Sequence, residues 1–156
     1  EKDTYFSAFH KDFLKTKECL RIRKADDYIE LTYKGKSTKE MKENGQFWKK
    51  ETNIPLNITL KEAEDFLTAL GCKKLVSVEK KRHKYCIGNQ IITLDLVKDA
   101  GSFLEIESLA RNENVKSALN KNMELAKKLG LKEEDIITEP YRDIVLSKNK
   151  KRSYLS

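Results

Sequence analysis

Arg21 and Arg23 stand two residues apart in CLRIR, and Lys80 and Arg82 two apart in EKKRH. Asp95 lies alone in the apolar run ITLDLV, and Glu105 and Glu107 are again two apart in FLEIE. In an extended strand successive side chains point to opposite faces, so each pair shares one face while Leu20 and Ile22, or Leu104 and Ile106, take the other. What such a face does depends on what covers it. Open to water it is simply the solvated side of a sheet, which is the ordinary explanation strand by strand. Two features favour an enclosed face. Basic and acidic strands are segregated along the chain, and the two amphipathic helices described below need the apolar face of the sheet as their partner. A barrel or strongly curved sheet with a charged lumen satisfies both.

The elements that must position these residues are mostly strands. Alternation predicts them near 19–24, 28–34, 47–54, 74–86, 90–97 and 103–109, with Asp26-Asp27 turning between the first two, in a mainly antiparallel sheet. The run TLKEAEDFLTALG predicts a helix. Thr59 and Glu62 can form a capping box, Leu60, Ala63, Phe66, Leu67 and Leu70 follow helical spacing, and Gly71 is the stop. A second helix over about 114–129 is expected to bury Val115, Ala118, Leu119, Leu125, Ala126 and Leu129 and to end at Gly130. A shorter helix is expected after Leu131 and a further turn from Tyr141 to Leu146. The basic tail from Lys148 to Arg152 reads as solvated.

Bulk properties fit one domain. The chain has 156 residues, 32 Lys plus Arg against 25 Asp plus Glu, a net charge of +7, and 37% charged against 38% hydrophobic residues. That allows a single compact domain and favours an anionic partner, whether nucleotide, polyphosphate, nucleic acid or membrane. Cys19, Cys72 and Cys86 form no CxxC pair, so neither a zinc site nor a disulfide framework is indicated, and the expected setting is cytoplasmic. Several local patterns carry no chemistry. Gly35-Lys36-Ser37 imitates the end of a phosphate-binding loop, but Glu30 stands where glycine is required. Asn57-Ile58-Thr59 is a glycosylation sequon in form only. His10 and His83 are isolated, and Trp48 with Phe47 reads as a packing pair.

The segments EKDTYF, CLRIR, LTYKG, VEKKRHKYCIG, ITLDLV, GSFLEIE and EPYRDIVL follow one another along nearly the whole chain. In this order they resemble the motifs of the class IV adenylyl cyclase branch of the CYTH superfamily, the triphosphate tunnel metalloenzymes. The resemblance implies an α+β fold over 1–156, an eight-stranded antiparallel closed β-barrel with helices outside. Its lumen would bind a triphosphate through Arg and Lys and divalent cations through carboxylates. Carried over by position, Arg21, Arg23, Lys34, Lys80 and Arg82 are the expected triphosphate ligands, with Arg21, Lys34, Lys80 and Arg82 also catalytic. Asp95, Glu105, Glu107 and Glu51 are the expected metal ligands, and hard oxygen donors suit Mg²⁺ or Mn²⁺.

Two departures stand out. Lys49 or Lys50 and Asn53 replace family residues around Glu51, and the family's ExExK strand, which Glu1 and Lys2 do not supply, is expected outside this sequence. Without it the chain alone is expected to have a weakened site and an open barrel edge. For Tyr141 and Arg142 the alternatives are a helix packed on the tunnel end and a lid near the nucleotide. The expected function is conversion of ATP to cyclic AMP and pyrophosphate. Thiamine or inorganic triphosphatase activity and non-catalytic binding of nucleotide or polyphosphate are the alternatives. The expected partner is a small-molecule triphosphate, with no membrane and no nucleic acid, and a homodimer is compatible.

Overall fold

A computed structural model of the chain describes residues 1–36, 50–108 and 115–153, with side chains up to residue 150. Seven strands form one antiparallel sheet. They are β1 (Lys2–Ser7), β2 (Cys19–Ala25), β3 (Tyr28–Lys34), β4 (Glu51–Leu56), β5 (Lys73–Ile87), β6 (Gln90–Val97) and β7 (Gly101–Ser108), in the order β4-β3-β2-β1-β5-β6-β7. Among the described residues four α-helices accompany them: α1 (Phe13–Thr16), α2 (Leu60–Ala69), α3 (Val115–Lys128) and α4 (Tyr141–Ser153), with a 3₁₀ turn at Glu133–Asp135.

The expected eight-stranded closed barrel is not what the described residues build. Seven strands are present, and no hydrogen bonds join the outer strands β4 and β7. β4 also carries Pro55, which has no N–H to donate and is tolerated at a sheet edge. The expected 47–54 strand begins later, at Glu51, and residues 47–49 lie outside the described residues. β1 and the short α1 are additions to the elements read from sequence. No described helix is long and apolar enough to cross a membrane.

Local chemistry explains the helices. Thr59 Oγ1 accepts from the Glu62 N–H at 3.2 Å while Glu62 Oε2 accepts from the Thr59 N–H at 2.8 Å, the reciprocal box that satisfies two otherwise orphaned donors. Gly71 ends α2 at φ +80°, a left-handed conformation that costs other residues more. α2 lays Ala63 and Leu67 on Phe6 and Ile22, with Leu20, Ile29, Leu31 and Leu56 around them. Phe66 and Leu70 were expected on that face, yet they are 60% and 57% exposed because the strands beneath are already covered by the Ala63–Leu67 stripe. On α3 only Val115 is fully buried, and Leu129 is 47% exposed. Asn122 ties α3 to the sheet by accepting from Gln90 and Ser108 and donating to the Ile106 carbonyl.

α4 lies on the opposite face of the sheet, and it is longer than predicted. The expected turn at 141–146 and the basic tail form one helix running to Ser153. Its Val145 joins Tyr5, Val76, Val78 and Val97 in a second core cluster, with Cys19, Phe103, Tyr141 and Leu146 packed against it. Arg142 donates to the Glu18 carbonyl at 2.8 Å, and Lys148 to the Ala100 carbonyl. Tyr141 and Arg142 thus begin a helix packed on the sheet.

Candidate functional site

The face that carries α4 also carries the charges. Strand pairing fixes this. Tyr5 pairs with both Arg21 and Val76, Asp3 with Arg23 and Val78, and Lys80 with Val97. Each of these strands thus has an apolar stretch under α4 and a charged stretch beyond it on the same face. Arg82 pairs with Asp95, Thr93 with Glu105, and Lys34 with Glu51, which brings the remaining charges to that face as well.

The charged stretches form one network. Arg23 grips Asp3 with Nε and Nη2 at 2.7 and 2.8 Å. Arg21 Nη1 and Lys80 Nζ approach the same carboxylate at 3.6 and 3.5 Å. Arg82 binds Asp95 through Nε at 2.7 Å and reaches Glu105 Oε2 through Nη2 at 2.6 Å. Lys80 and Asp95, predicted to share a face, lie 3.8 Å apart. Lys34 pairs with Glu51 at 2.7 Å, and Glu51 reaches Arg21 at 3.9 Å. Glu1 Oε2 sits between Lys80 at 3.5 Å, Arg23 at 3.8 Å and Arg82 at 3.9 Å without a hydrogen bond to any described residue.

Protonation follows the pairing. Burial alone would push the Asp3 carboxyl up, but the Arg23 hydrogen bonds and the charges of Arg21, Arg23 and Lys80 outweigh it and hold it at about 2. Asp95 is likewise held below the carboxylate range, burial being outweighed by the Arg82 hydrogen bond and by Lys80. For Arg23 and Arg82, burial works against the charged form, and the facing carboxylates more than restore it. Tyr141 closes the charged stretch against α4. Its ring packs at a tilt against Phe103, with centroids 4.8 Å apart, and lies 5.3 Å from Lys80 Nζ. Burial and the charges of Glu105 and Asp95 push its phenol up, and its hydroxyl makes no well-aligned hydrogen bond.

Of the residues predicted from sequence, Arg21, Arg23, Lys34, Lys80, Arg82, Asp95, Glu105 and Glu51 belong to this network. Glu107 is exposed and stands outside it. Glu1 and Asp3 belong to it and were not predicted, although their two-residue spacing in EKD is the same shared-face signal as the other pairs. Of the expected metal ligands, Asp95 and Glu105 meet at Arg82 while Glu51 is held apart by Lys34. Among the described residues no three acids, histidines or cysteines could hold a metal ion. A resident metal therefore does not fit the described side chains as arranged. An open cleft of about 750 Å³ adjoins the network at Glu1 and Lys80, bounded further by Leu96, Val97 and Ala100.

A CYTH domain match spans residues 1–141. The chain belongs to the CYTH family. It is 30% identical over 146 residues to a Methanocaldococcus jannaschii protein named "Putative adenylate cyclase", covering 92% of this chain and 80% of that one. A solved Pyrococcus horikoshii structure superposes with a TM-score of 0.82 at 29% identity, over 94% of this CYTH chain and 83% of the other. A Vibrio parahaemolyticus structure, also titled a putative adenylate cyclase, shares the fold with a TM-score of 0.77 at 18% identity, over 92% and 78% of the two chains.

Proposed function

We propose that this CYTH domain binds a triphosphate on its charged face and acts on it as an adenylyl cyclase. The observation that carries the reading is the convergence of Arg21, Arg23, Lys34, Lys80 and Arg82 from three strands onto one face. Forked guanidinium donors and ammonium point charges are the groups that bind phosphate oxygens at close range. The name of the Methanocaldococcus jannaschii relative supports the same direction.

In the cyclase reading the ribose 3′-oxygen attacks the α-phosphorus. The bond from that phosphorus to the bridging oxygen breaks, pyrophosphate departs with the electron pair, and the hydroxyl proton passes to solvent. The five cations would hold the β- and γ-phosphates and offset the charge that gathers on the leaving pyrophosphate. Lys34 and Arg82 would each exchange a carboxylate partner for a phosphate oxygen, while Arg21, Arg23 and Lys80 would add phosphate oxygens to the Asp3 carboxylate they share. The network's own charges cancel: five cations (Arg21, Arg23, Lys34, Lys80, Arg82) face five carboxylates (Glu1, Asp3, Glu51, Asp95, Glu105). A tetra-anion therefore needs accompanying positive charge, so the substrate in this reading is the Mg²⁺ or Mn²⁺ complex of the triphosphate. The reading takes the protein as cytoplasmic, with ATP as its small-molecule partner and neither membrane nor nucleic acid involved. Sedimentation tests the homodimer it allows.

A second reading, hydrolysis of thiamine or inorganic triphosphate by water attacking the terminal phosphorus, is favoured by one observation. Every cation of the network is suited to phosphate, and no uncharged polar side chain stands among its members to read a base. One assay separates the readings. The protein is incubated with ATP and Mn²⁺, and separately with tripolyphosphate and with thiamine triphosphate, and the products are identified. Cyclic AMP with pyrophosphate supports the cyclase, and a diphosphate with orthophosphate supports the hydrolase. Binding without turnover leaves a polyphosphate-binding protein, and failure to bind any of the three refutes the proposal.

A further inference from the structure

Asp3 has a place in the network unlike that of the other carboxylates. It is 1% exposed and lies on β1, the strand between β2 and β5. Three cations from those two flanking strands converge on it: Arg23 at 2.7 and 2.8 Å, Lys80 at 3.5 Å and Arg21 at 3.6 Å. A guanidinium presents five N–H donors in one plane. Arg23 uses its Nε–H and one Nη2–H on Asp3, which fixes that plane and leaves its other donors for a second oxyanion. Without Asp3, three like charges would face one another in a desolvated space and the side chains would move apart.

We propose that Asp3 is the positioning residue of this site, holding Arg21, Arg23 and Lys80 in one fixed cluster for phosphate oxygens to meet. The inference rests on the triphosphate reading above. Its test turns on a sign, because the Asp3 charge has two opposed effects on an incoming anion. As bare charge it repels the ligand, so removing it should tighten binding. As an anchor it pre-organises three ligand groups, so removing it should weaken binding.

Calorimetric titration of the wild-type protein and Asp3→Asn with tripolyphosphate and Mg²⁺ reads that sign, with folding of the variant checked by circular dichroism. Tripolyphosphate affinity should fall about tenfold or more, which corresponds to roughly 1.4 kcal/mol. Orthophosphate, which can engage one cation at a time, should change little. A merely structural role would lower the melting temperature and leave the affinity of the folded protein unchanged. Equal or tighter tripolyphosphate binding by folded Asp3→Asn overturns the positioning role alone. A wild-type protein that does not bind tripolyphosphate removes the triphosphate reading, and this inference with it. Should Asp3→Asn not fold, ¹⁵N spectra of the wild-type arginine side chains decide. On saturation with tripolyphosphate the Arg23 Nε–H should keep its carboxylate-bound shift while Arg21 responds, and loss of that shift overturns the role.

Discussion

Acidification isolates the contribution of Asp3 to stability. Its carboxyl is held at about 2 against an ordinary 3.8, with burial opposing and the Arg23 hydrogen bonds and three neighbouring cations prevailing. A depressed folded-state value means stability that is present above the unfolded value and lost as pH falls through the folded one. Nearly two pH units of difference in proton affinity correspond to roughly 2–3 kcal/mol at neutral pH. About half of that should be gone by pH 3 and most of it by pH 2. In a chain of 156 residues this amounts to roughly 5–10 °C in Tm. Urea unfolding suits the assay better than guanidinium, whose ions screen the charges under study. The wild-type and Asp3→Asn proteins would be unfolded at intervals from pH 7 to pH 2.5. Their stability gap should be flat above about pH 5 and shrink below it. A gap of the same size at pH 7 and at the acid end would show that the Asp3 charge stabilises nothing, and the account of the network would fail with it.

Other perturbations test other parts. Mg²⁺ alone should barely move the melting temperature, since the acids of the network are already paired with Arg and Lys, whereas Mg²⁺ with tripolyphosphate at a hundredfold excess over Kd should add about 2.7 kcal/mol. Differential scanning fluorimetry distinguishes these cases, and strong stabilisation by Mg²⁺ alone would contradict the ion-pair arrangement. Tyr141→Phe removes a hydroxyl with no well-aligned partner, so unfolding should shift by less than about 0.5 kcal/mol, while Tyr141→Ala also loses the Phe103 and Lys80 contacts and should cost about 3 kcal/mol. Gly71→Ala places a Cβ 3.4 Å from that of Phe9 at φ +80°, and chemical denaturation should show a loss of about 1 kcal/mol.

Much of the site was legible because charge at every second residue is a geometric statement. Once Arg21 and Arg23, or Lys80 and Arg82, lie in strands, each pair must share a face, and strand pairing then brings Asp95 and Glu105 alongside. β1 was not legible as a strand for a related reason. Both of its faces are covered, so buried Asp3, Thr4 and Ser7 are interleaved with buried Tyr5 and Phe6, and no polar–apolar alternation survives. The length of α4 was hidden by Lys148, Asn149 and Lys150, which look like a solvated tail but continue a helix anchored at its start by Val145 and Arg142. Pairwise partnership was the other thing sequence could not supply. The types and spacing of Asp95, Glu105 and Glu51 suit metal ligands, whereas only coordinates place each one against a particular Arg or Lys.

The placement of α4 sets the direction of traffic. Tyr141, Val145 and Leu146 occupy the far half of the strands that present Lys80 and Asp3, so a ligand held there has a wall behind it. Whatever arrives opposite α4 cannot leave through it. A spent ligand then stands in the doorway of the next, and its departure rather than the bond-making step becomes the natural bottleneck. In the cyclase reading, pyrophosphate should compete directly with the incoming triphosphate, raising the apparent KM while leaving kcat unchanged.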